Sequence, residues 1–290
     1  MSADAKLLLC TDLDRTLLPN GAQPESAPAR ERFRRLAERA EVTLAYVTGR
    51  HRALVEKAVL SYRIPQPQFV ISDVGTRIYD LRRGRWTLLA DWVDDIDRDF
   101  SGHDRREISG ELADLSALRL QEPSRQNPHK ISYYVPLHED RAALCAEMEG
   151  RLAGMGVRAN LVWSVDEPNG VGLLDILPAR AGKLEAIVQL SRGLGFGLDE
   201  VLFAGDSGND LPVLVSDVPA VLVANAAEKV RAEATALSAQ RGTRDRLYLA
   251  RGGFWGMNGN YSAGVLEGLA HFHPELMREL AGEGAWQHVG

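Results

Sequence analysis

The 290-residue chain is 45% hydrophobic and 26% charged, a composition typical of a folded protein with a sizeable buried core. Its length allows one large domain, or a core domain with a smaller partner. The net charge of −6 argues against a general affinity for nucleic acid or for acidic membranes.

The sequence carries no strong targeting or redox signal. No segment approaches the ~20 consecutive apolar residues that a bilayer crossing needs. Only Lys6 precedes the first apolar run, which is too little for a secretory signal. The two cysteines, Cys10 and Cys145, form neither a metal-ligand spacing nor a disulfide framework. We expect a cytoplasmic protein, a monomer or small homo-oligomer, with no membrane or nucleic-acid partner.

Short apolar runs alternate with helical segments in the first quarter of the chain. The runs predict strands at Leu7–Cys10, Val42–Val47 and Gln68–Ser72, with helices at Ala27–Glu41 and Arg52–Leu60 between them. The first two runs end on small polar residues, as buried strands do at the edge of a sheet. This alternation is typical of a parallel sheet covered by helices on both faces.

The pattern changes after about residue 80, where the elements become shorter and more mixed. An acidic surface helix or loop is predicted at Asp91–Asp104 and a helix at Glu139–Ala153. The remaining elements of this part are predicted strands: Trp86–Leu89, Lys130–Val135, Val157–Val165 and Leu173–Leu177. Such elements favour a small α+β domain inserted into the first, and we predict residues 83–171 as this cap.

The parallel pattern resumes in the last third of the chain. Two strands, Val201–Ala204 and Ala220–Val223, are predicted there. The predicted helices are Leu184–Leu194, Leu211–Val215, Glu228–Leu237 and Val265–Phe272, the last of them after a glycine- and aromatic-rich loop. The predicted fold is therefore a Rossmann-like parallel sheet core in three α/β/α layers, formed by residues 1–82 and 172–290, with an inserted α+β cap.

Two polar segments directly follow predicted strands of the first half. Ligands of open α/β sheets bind outside the carboxyl ends of the strands. Asp12 and Asp14 are one residue apart, so both can face one crevice, where one attacks an electrophile and the other moves a proton. Thr48-Gly49-Arg50 offers a hydroxyl and backbone N–H groups at a helix start, which suit phosphate oxygens.

Two further segments lie in the second half. Lys183 stands at a helix start, where its charge can neutralise carboxylates and phosphate. The segment from Gly205 to Asp210 crowds carboxylate and amide oxygens into one turn, a ligand set that suits Mg²⁺. At average residue usage, D-x-D-x-T followed by G-D-x-x-N-D arises by chance about once in ten thousand such chains.

These four segments, in this order, resemble the motifs of the haloacid dehalogenase superfamily of phosphatases. The gap of about 130 residues between the second and third segments is where that superfamily inserts its larger caps. Within it the chain is most similar to the sucrose-phosphate phosphatases. The segments that support this are Asn127 to Tyr134, Leu174 to Pro178, Ala181 to Lys183, and Gly264 to Phe272.

The resemblance implies a two-step reaction through an aspartyl-phosphate. Asp12 is the implied nucleophile, and Asp14 is the implied general acid for the leaving sugar hydroxyl and then the base for water. The implied cofactor is Mg²⁺, bound by Asp12, the Asp14 carbonyl and Asp206, with Asp210 supporting the waters of the metal.

The resemblance also assigns the substrate contacts. Lys130 and Ser132, in the cap, are implied to bond sugar hydroxyls. Arg50 stays open between a substrate contact and a solvated charge at a helix start. The implied phosphate-binding residues come from three of the segments: Thr48, Gly49, Lys183 and Asn209.

The implied activity is Mg²⁺-dependent hydrolysis of a sugar phosphate, with sucrose 6-phosphate as the first expectation. Alternatives are a phosphatase for mannosylfructose phosphate, glycosylglycerate phosphate or a hexose phosphate, a phosphosugar mutase, and a non-catalytic sugar-phosphate sensor. A sensor predicts the loss of an acidic residue at position 12, 14 or 206, and none is lost.

Two features near the carboxyl end of the predicted sheet remain open. Asn225 follows a strand and could reach the crevice or simply form a turn. The loop Gly252 to Tyr261, with Trp255, Asn258 and Asn260, could overhang the pocket or pack as a surface loop.

Overall fold

The computed structural model describes residues 7–166 and 169–282, and its strands form two sheets. In chain order the strands are β1 Leu7–Thr11, β2 Val42–Val47, β3 Phe69–Ser72, β4 Arg77–Asp80, β5 Thr87–Leu88, β6 Arg119–Leu120, β7 Ile131–Val135, β8 Ala159–Asp166, β9 Val171–Pro178, β10 Val201–Gly205, β11 Ala220–Leu222 and β12 Leu247–Leu249. The larger sheet has the order β12-β11-β10-β1-β2-β3-β4-β5, and the smaller has the order β6-β7-β9-β8.

Helices cover both faces of the larger sheet. In chain order the helices are α1 Ala29–Ala37, α2 Arg52–Tyr62, α3 Ala90–Asp97, α4 Arg105–Glu111, α5 Arg141–Gly154, α6 Lys183–Leu194, α7 Leu211–Leu214, α8 Glu228–Arg241, α9 Ser262–Phe272 and α10 Pro274–Gly282. None of the helices within 7–166 and 169–282 combines the length and the apolar character that crossing a bilayer requires.

The alternation of side chains along β1 divides the core into two layers. Leu7 and Leu9 pack with α1 and α9 on one face, whereas Leu8 and Cys10 pack with α6 and α7 on the other. Both layers are apolar because the strands from β12 to β3 are parallel and buried on both sides. The predicted three-layer α/β/α core is confirmed.

The smaller sheet is antiparallel and, with α4 and α5, forms the α+β cap. Its apolar core includes Phe100, Ile108 and Met148. The predicted cap range, 83–171, is too early at both ends. Strand β5 still pairs with β4 in the larger sheet, and β9 pairs with β7 and β8 as far as Pro178. The chain therefore returns to the core after Pro178.

Several elements differ from the sequence prediction for local reasons. The predicted acidic surface helix is α3, and it is anchored rather than solvated: Trp92 and Ile96 are buried in the core, and Trp92 Nε1 donates to the Gly75 carbonyl at 2.9 Å. Strand β4 was missed because Arg-Ile-Tyr-Asp is only half apolar. It is antiparallel to β3, so one face can carry polar residues.

Candidate active site

The four polar segments meet at one edge of the larger sheet. Asp12 follows β1, Thr48 follows the neighbouring β2, and Asp206 follows β10 on the other side of β1. The Asp12 N–H donates to the Ala204 carbonyl at 2.9 Å, and the Thr48 N–H donates to the Ile71 carbonyl at 2.8 Å. Parallel pairing thus continues to the last residue of each strand, and it brings side chains nearly 200 positions apart into one crevice.

Lys183, the first residue of α6, connects two of these segments. Its Nζ lies 2.6 Å from Asp210 Oδ1, 3.0 Å from Asp12 Oδ1 and 3.1 Å from Asn209 Oδ1. Burial by itself would lower the pKa of this amine, but the two carboxylates outweigh it and raise the pKa above its ordinary value. Lys183 is therefore a fixed cation inside the site.

The turn after β10 is organised by Asp210. Its Oδ2 accepts the backbone N–H groups of Asp206 and Ser207, each at 3.0 Å. A Cβ on Gly205 would lie 2.6 Å from Asp210 Cγ, so only glycine lets this carboxylate approach the strand end. Since Lys183 takes the other oxygen, Asp210 fits a supporting role better than direct metal ligation.

A divalent cation fits the acidic cluster. Carboxylate oxygens of Asp12, Asp206 and Asp210 lie within 4.8 Å of one another. Burial and the repulsion between them raise the pKa of Asp12, and they raise the pKa of Asp206 to about 7. Among the described residues, none donates a hydrogen bond to the buried Asp206 Oδ2, although Arg15 Nε lies 3.4 Å away. Hard oxygen ligands with unbalanced negative charge suit Mg²⁺.

Asp14 is held differently from Asp12. Arg50 donates two hydrogen bonds to the Asp14 carboxylate, from Nη2 to Oδ1 at 2.6 Å and from Nε to Oδ2 at 2.7 Å. Asn20 Nδ2 also donates to Oδ1, at 2.7 Å. Burial would raise the pKa of Asp14, but the hydrogen bonds and charge of Arg50 outweigh it and lower the pKa. Arg50 is thus not a solvated helix-start charge.

Thr48 is the first residue after β2. It is fully buried, and its Oγ1 accepts the Arg50 N–H at 3.2 Å. Gly49 and Arg50 line the cavity above it. The Thr48-Gly49-Arg50 segment therefore presents Gly49 and the Arg50 guanidinium to the cavity, and the buried Thr48 supports them from below.

The cap supplies the opposite wall of a cavity of about 500 Å³. Lys130 and Asp175 line it, and Lys130 Nζ lies 3.6 Å from Asp73 Oδ1 of the core. Ser132, the other predicted cap residue, donates through Oγ to Asp175 Oδ1. The remaining cap residues of this wall are Gln121, Arg125, Arg141, Trp163, Ser164, Val165 and Leu173.

Sequence reasoning missed Asp175 as a site residue, although a signal was present. It is the lone charge in the apolar run Leu-Leu-Asp-Ile-Leu of β9, and a buried carboxylate in such a run needs a polar partner. Burial raises its pKa, while Lys130 and the Ser132 hydroxyl act in the opposite direction.

Asn225 and the 252–261 loop, whose roles the sequence left open, support the site from behind rather than line it. Asn225 is buried and bonds the backbone of the loop that carries Asp12 and Asp14. Asn258 and Asn260 both donate to the Pro24 carbonyl, at 2.9 and 3.0 Å. Among the described residues, the cavity lining contains no member of the 252–261 loop. The loop packs on the core rather than over the pocket.

Comparison with solved structures agrees with this architecture. The Synechocystis sucrose-phosphatase, determined in complex with sucrose and phosphate, superposes with a TM-score of 0.73 and 25% sequence identity, covering 92% of this chain and 98% of that one. The Rossmann-like core, the inserted cap and the site at the strand ends define a phosphoric monoester hydrolase of the haloacid dehalogenase superfamily.

Sequence comparison assigns the chain to one family within this superfamily. The sequence profile of the sucrose-6F-phosphate phosphohydrolases matches residues 5–273, and the chain belongs to this family. A HAD-like hydrolase of Nitrosococcus oceani is 50% identical over 285 residues, which is 98% of this chain and 75% of that protein. The mannosylfructose-phosphate phosphatase of Agrobacterium fabrum is 31% identical over 224 residues, covering 76% and 83% of the two chains. The protein is thus a sugar-phosphate phosphatase.

Proposed function

We propose that this protein hydrolyses sucrose 6-phosphate to sucrose and phosphate, with Mg²⁺, through an aspartyl-phosphate on Asp12. One observation carries the proposal. The Asp12 carboxylate lies beside the Lys183 ammonium and the Asp206 and Asp210 carboxylates, on the core wall of a cavity that the cap closes from the other side.

The charges of the core wall suit attack on a phosphate monoester, whose negative oxygens repel a nucleophile. Lys183 neutralises part of this charge and holds Asp12 Oδ1 in place. Asp12, the Asp14 carbonyl and Asp206 would hold the metal, and Asp210 would support it. Bound Mg²⁺ supplies further positive charge at the transferring phosphoryl group. Attack by Asp12 then divides the hydrolysis into two easier displacements.

Asp14 needs a proton before it can serve as the general acid. The hydrogen bonds and charge of Arg50 lower the pKa of Asp14, which favours the carboxylate. We therefore propose that Arg50 turns from Asp14 to the substrate when the sugar phosphate enters. Asp14 then loses its cationic partner, takes up a proton, and donates it to the leaving sugar oxygen.

The cap wall supports a sugar as the leaving group. Lys130 and Asp175 offer a donor and an acceptor for hydroxyl groups, and Trp163 and Leu173 offer apolar surface for the ring. A pocket of this size falls within the ordinary range for small ligands, about 300–1,000 Å³. Sucrose 6-phosphate is favoured by the family profile and by the sucrose in the Synechocystis structure.

Mannosylfructose phosphate is the second candidate. The Agrobacterium relative is named for it, and its identity of 31% exceeds the 25% of the Synechocystis enzyme. Both candidates use the same core wall, so the difference between them rests on the cap residues.

A phosphate-release screen with the full chain tests both the reaction and the substrate. The panel contains sucrose 6-phosphate, mannosylfructose phosphate, glycosylglycerate phosphate and simple hexose phosphates, each with Mg²⁺ and with a chelator. We expect the highest kcat/KM for sucrose 6-phosphate, and only with Mg²⁺. Conversion to a new sugar phosphate without phosphate release would indicate a mutase instead.

Asp12→Asn is the inactive control for the screen. Removing the nucleophile is expected to lower kcat by on the order of 10⁴–10⁶-fold, while the circular dichroism spectrum stays that of the parent. A variant that keeps its rate would rule out Asp12 as the nucleophile.

A further inference from the structure

The backbone of Arg15, the residue after Asp14, adopts an unusual conformation. Its φ of 60° lies in the left-handed region, which a residue with a Cβ occupies only where its surroundings impose it. Arg15 follows Asp14 directly, so the imposed conformation fixes the peptide unit that joins them.

Two asparagine side chains impose it. Asn20 Oδ1 accepts the Arg15 N–H at 2.8 Å, and Asn225 Nδ2 donates to the Arg15 carbonyl at 2.6 Å. Both backbone polar groups of this one residue are thus bonded to side-chain amides. Asn20 follows Arg15 by five residues, whereas Asn225 lies in the loop after β11, two strands away from β1 in the sheet.

The bond from Asn20 also orients Asp14. A trans peptide unit is planar, so its N–H and C=O point in opposite directions. Holding the Arg15 N–H toward Asn20 therefore turns the Asp14 carbonyl away from Asn20. The other end of the same amide donates to Asp14 Oδ1 at 2.7 Å, so one side chain orients both the carbonyl and the carboxylate of Asp14.

Asn225 is itself firmly held. It is only 4% exposed, and its Oδ1 accepts the Tyr261 N–H at 2.8 Å. Tyr261 also has a left-handed φ, of 51°, and its hydroxyl donates to the Gln23 carbonyl at 3.0 Å. The loop before α9 therefore reaches the first motif from two directions, through Asn225 and through the 20–26 segment.

We propose that Asn20 and Asn225 are positioning residues that together clamp the Arg15 backbone, Asn20 through the Asp14–Arg15 peptide unit and Asn225 through the Arg15–Thr16 unit, so that the Asp14 carbonyl is presented to a divalent cation. The clamp rests on the proposed function, because it assumes that this carbonyl ligates the metal. Its effect is on cation affinity first, and on turnover through the cation and the Asp14 carboxylate.

The decisive measurement is the Mg²⁺ dissociation constant of the metal-stripped full chain by titration calorimetry, without substrate. In Asn20→Ala, both bonds of the amide are lost, and we expect the Kd for Mg²⁺ to rise about tenfold, as for other residues that orient metal ligands. Asn169→Ala is the matched control. Asn169 is exposed and also bonds an aspartate, Asp166, in a turn of the cap.

Asn20→Asp separates the two bonds. It keeps an acceptor for the Arg15 N–H but loses the donor to Asp14. We expect Mg²⁺ to bind as tightly as in the parent or more tightly, while kcat falls about tenfold because two carboxylates now face each other. A variant that loses Mg²⁺ binding as Asn20→Ala does would overturn the orientation of the carbonyl by this bond.

Asn225→Ala provides a second test of the clamp. If both amides fix the same left-handed conformation of Arg15, the double variant with Asn20→Ala weakens Mg²⁺ binding by less than the product of the single effects. A full product would overturn a shared clamp. The melting temperature without Mg²⁺ is recorded for each variant, so that a fall in stability alone is recognised.

The outcomes distinguish the clamp from the function. If the parent releases phosphate with Mg²⁺ but Asn20→Ala binds Mg²⁺ equally well, the clamp is wrong and the function stands. If the parent binds Mg²⁺ and Asn20→Ala does not, yet no sugar phosphate is hydrolysed, the clamp stands and the function is wrong. A parent that binds no Mg²⁺ would overturn both.

Discussion

The two walls of the cavity hold their buried lysines in opposite ways. On the core wall, Lys183 contacts three oxygens at 2.6 to 3.1 Å, from Asp12, Asn209 and Asp210. On the cap wall, Lys130 is equally buried, but its Nζ lies 3.6 Å from Asp73, and this contact crosses from cap to core. Lys183 is held tightly by residues of the core alone, whereas Lys130 is held loosely at the junction between cap and core.

This difference separates chemistry from recognition. Groups fixed before the substrate arrives stabilise a transition state without reorganising, and strand ends of one parallel sheet provide such rigidity. A long ion pair between cap and core is easily exchanged for a bond to a substrate hydroxyl. We expect substitutions on the core wall to lower kcat and those on the cap wall to raise KM.

The largest effect is expected for Lys183→Met. It removes the cation beside Asp12 and the transferring phosphate, and kcat should fall by about 10²–10³-fold, the loss seen when one preorganised donor is deleted. Steady-state phosphate release with the best substrate of the screen measures it. Methionine keeps the length of the side chain, but Asp12 and Asp210 lose their buried cation, so the melting temperature is measured together with the rate.

Lys57→Met is the control for this substitution, because Lys57 is exposed on α2. It should leave kcat and KM unchanged. If Lys183→Met raised KM and left kcat unchanged, the core wall would act in substrate binding as the cap wall does. The proposed division between a catalytic wall and a recognition wall would then be wrong.

The second effect concerns the stability of the metal-free protein. Burial raises the pKa of Asp206 to about 7, so the folded state holds this proton more tightly than the unfolded state. The contribution of this proton to the free energy of unfolding is therefore fully present below about pH 4, and it is lost as the pH rises through about 7. Without Mg²⁺, the advantage of Asp206→Asn over the parent in unfolding free energy should therefore grow as the pH rises from about 4 to about 7, and reach about 1–3 kcal/mol above that.

Asp175→Asn on the cap wall sharpens this test. Asp175 is half-buried, and the pKa of its carboxylate is likewise raised by burial, so its removal should show the same pH trend. Adding Mg²⁺ should stabilise the parent and Asp175→Asn, but not Asp206→Asn. Denaturant unfolding at several pH values measures both. A Mg²⁺ response that Asp206→Asn keeps would place the cation elsewhere.

The core wall was predictable from the placement of polar residues after strands, whereas on the cap wall only the family resemblance pointed to Lys130 and Ser132. Asp12, Asp206 and Lys183 follow strands or begin a helix, and parallel strands bring their carboxyl ends to one edge whatever the loops do. Where the cap lies against the core depends on contacts that no local pattern encodes. The contact between Lys130 and Asp73 is one of these.

The boundary of the cap was misplaced for a related reason. Leu173 to Leu177 reads as a buried strand in either sheet, and only its pairing with β7 and β8 assigns it to the cap. The roles of Asn20 and Asn225 were also hidden, because a bond from a side-chain amide to a distant backbone group leaves no spacing in the sequence. Asp73 stands in a left-handed turn with Val74 and Gly75, where only the glycine signals the conformation.

The smallest effect is expected for Lys130→Met on the cap wall. Because Lys130 contacts the sugar rather than the reacting phosphoryl group in the proposed complex, KM should rise about tenfold while kcat changes by less than about threefold. Initial rates over a range of substrate concentrations separate the two constants. The substitution also leaves Asp73 buried without its cation, which lowers stability.

The double variant Lys130→Met/Asp73→Asn separates recognition from stability. Removing both charges should restore the melting temperature toward that of the parent, because no unpaired charge is left buried. KM should remain raised, since the donor to the substrate is still absent. If KM recovered together with stability, Lys130 would serve the junction between cap and core, and the specificity of the cap wall would depend on other residues such as Asp175.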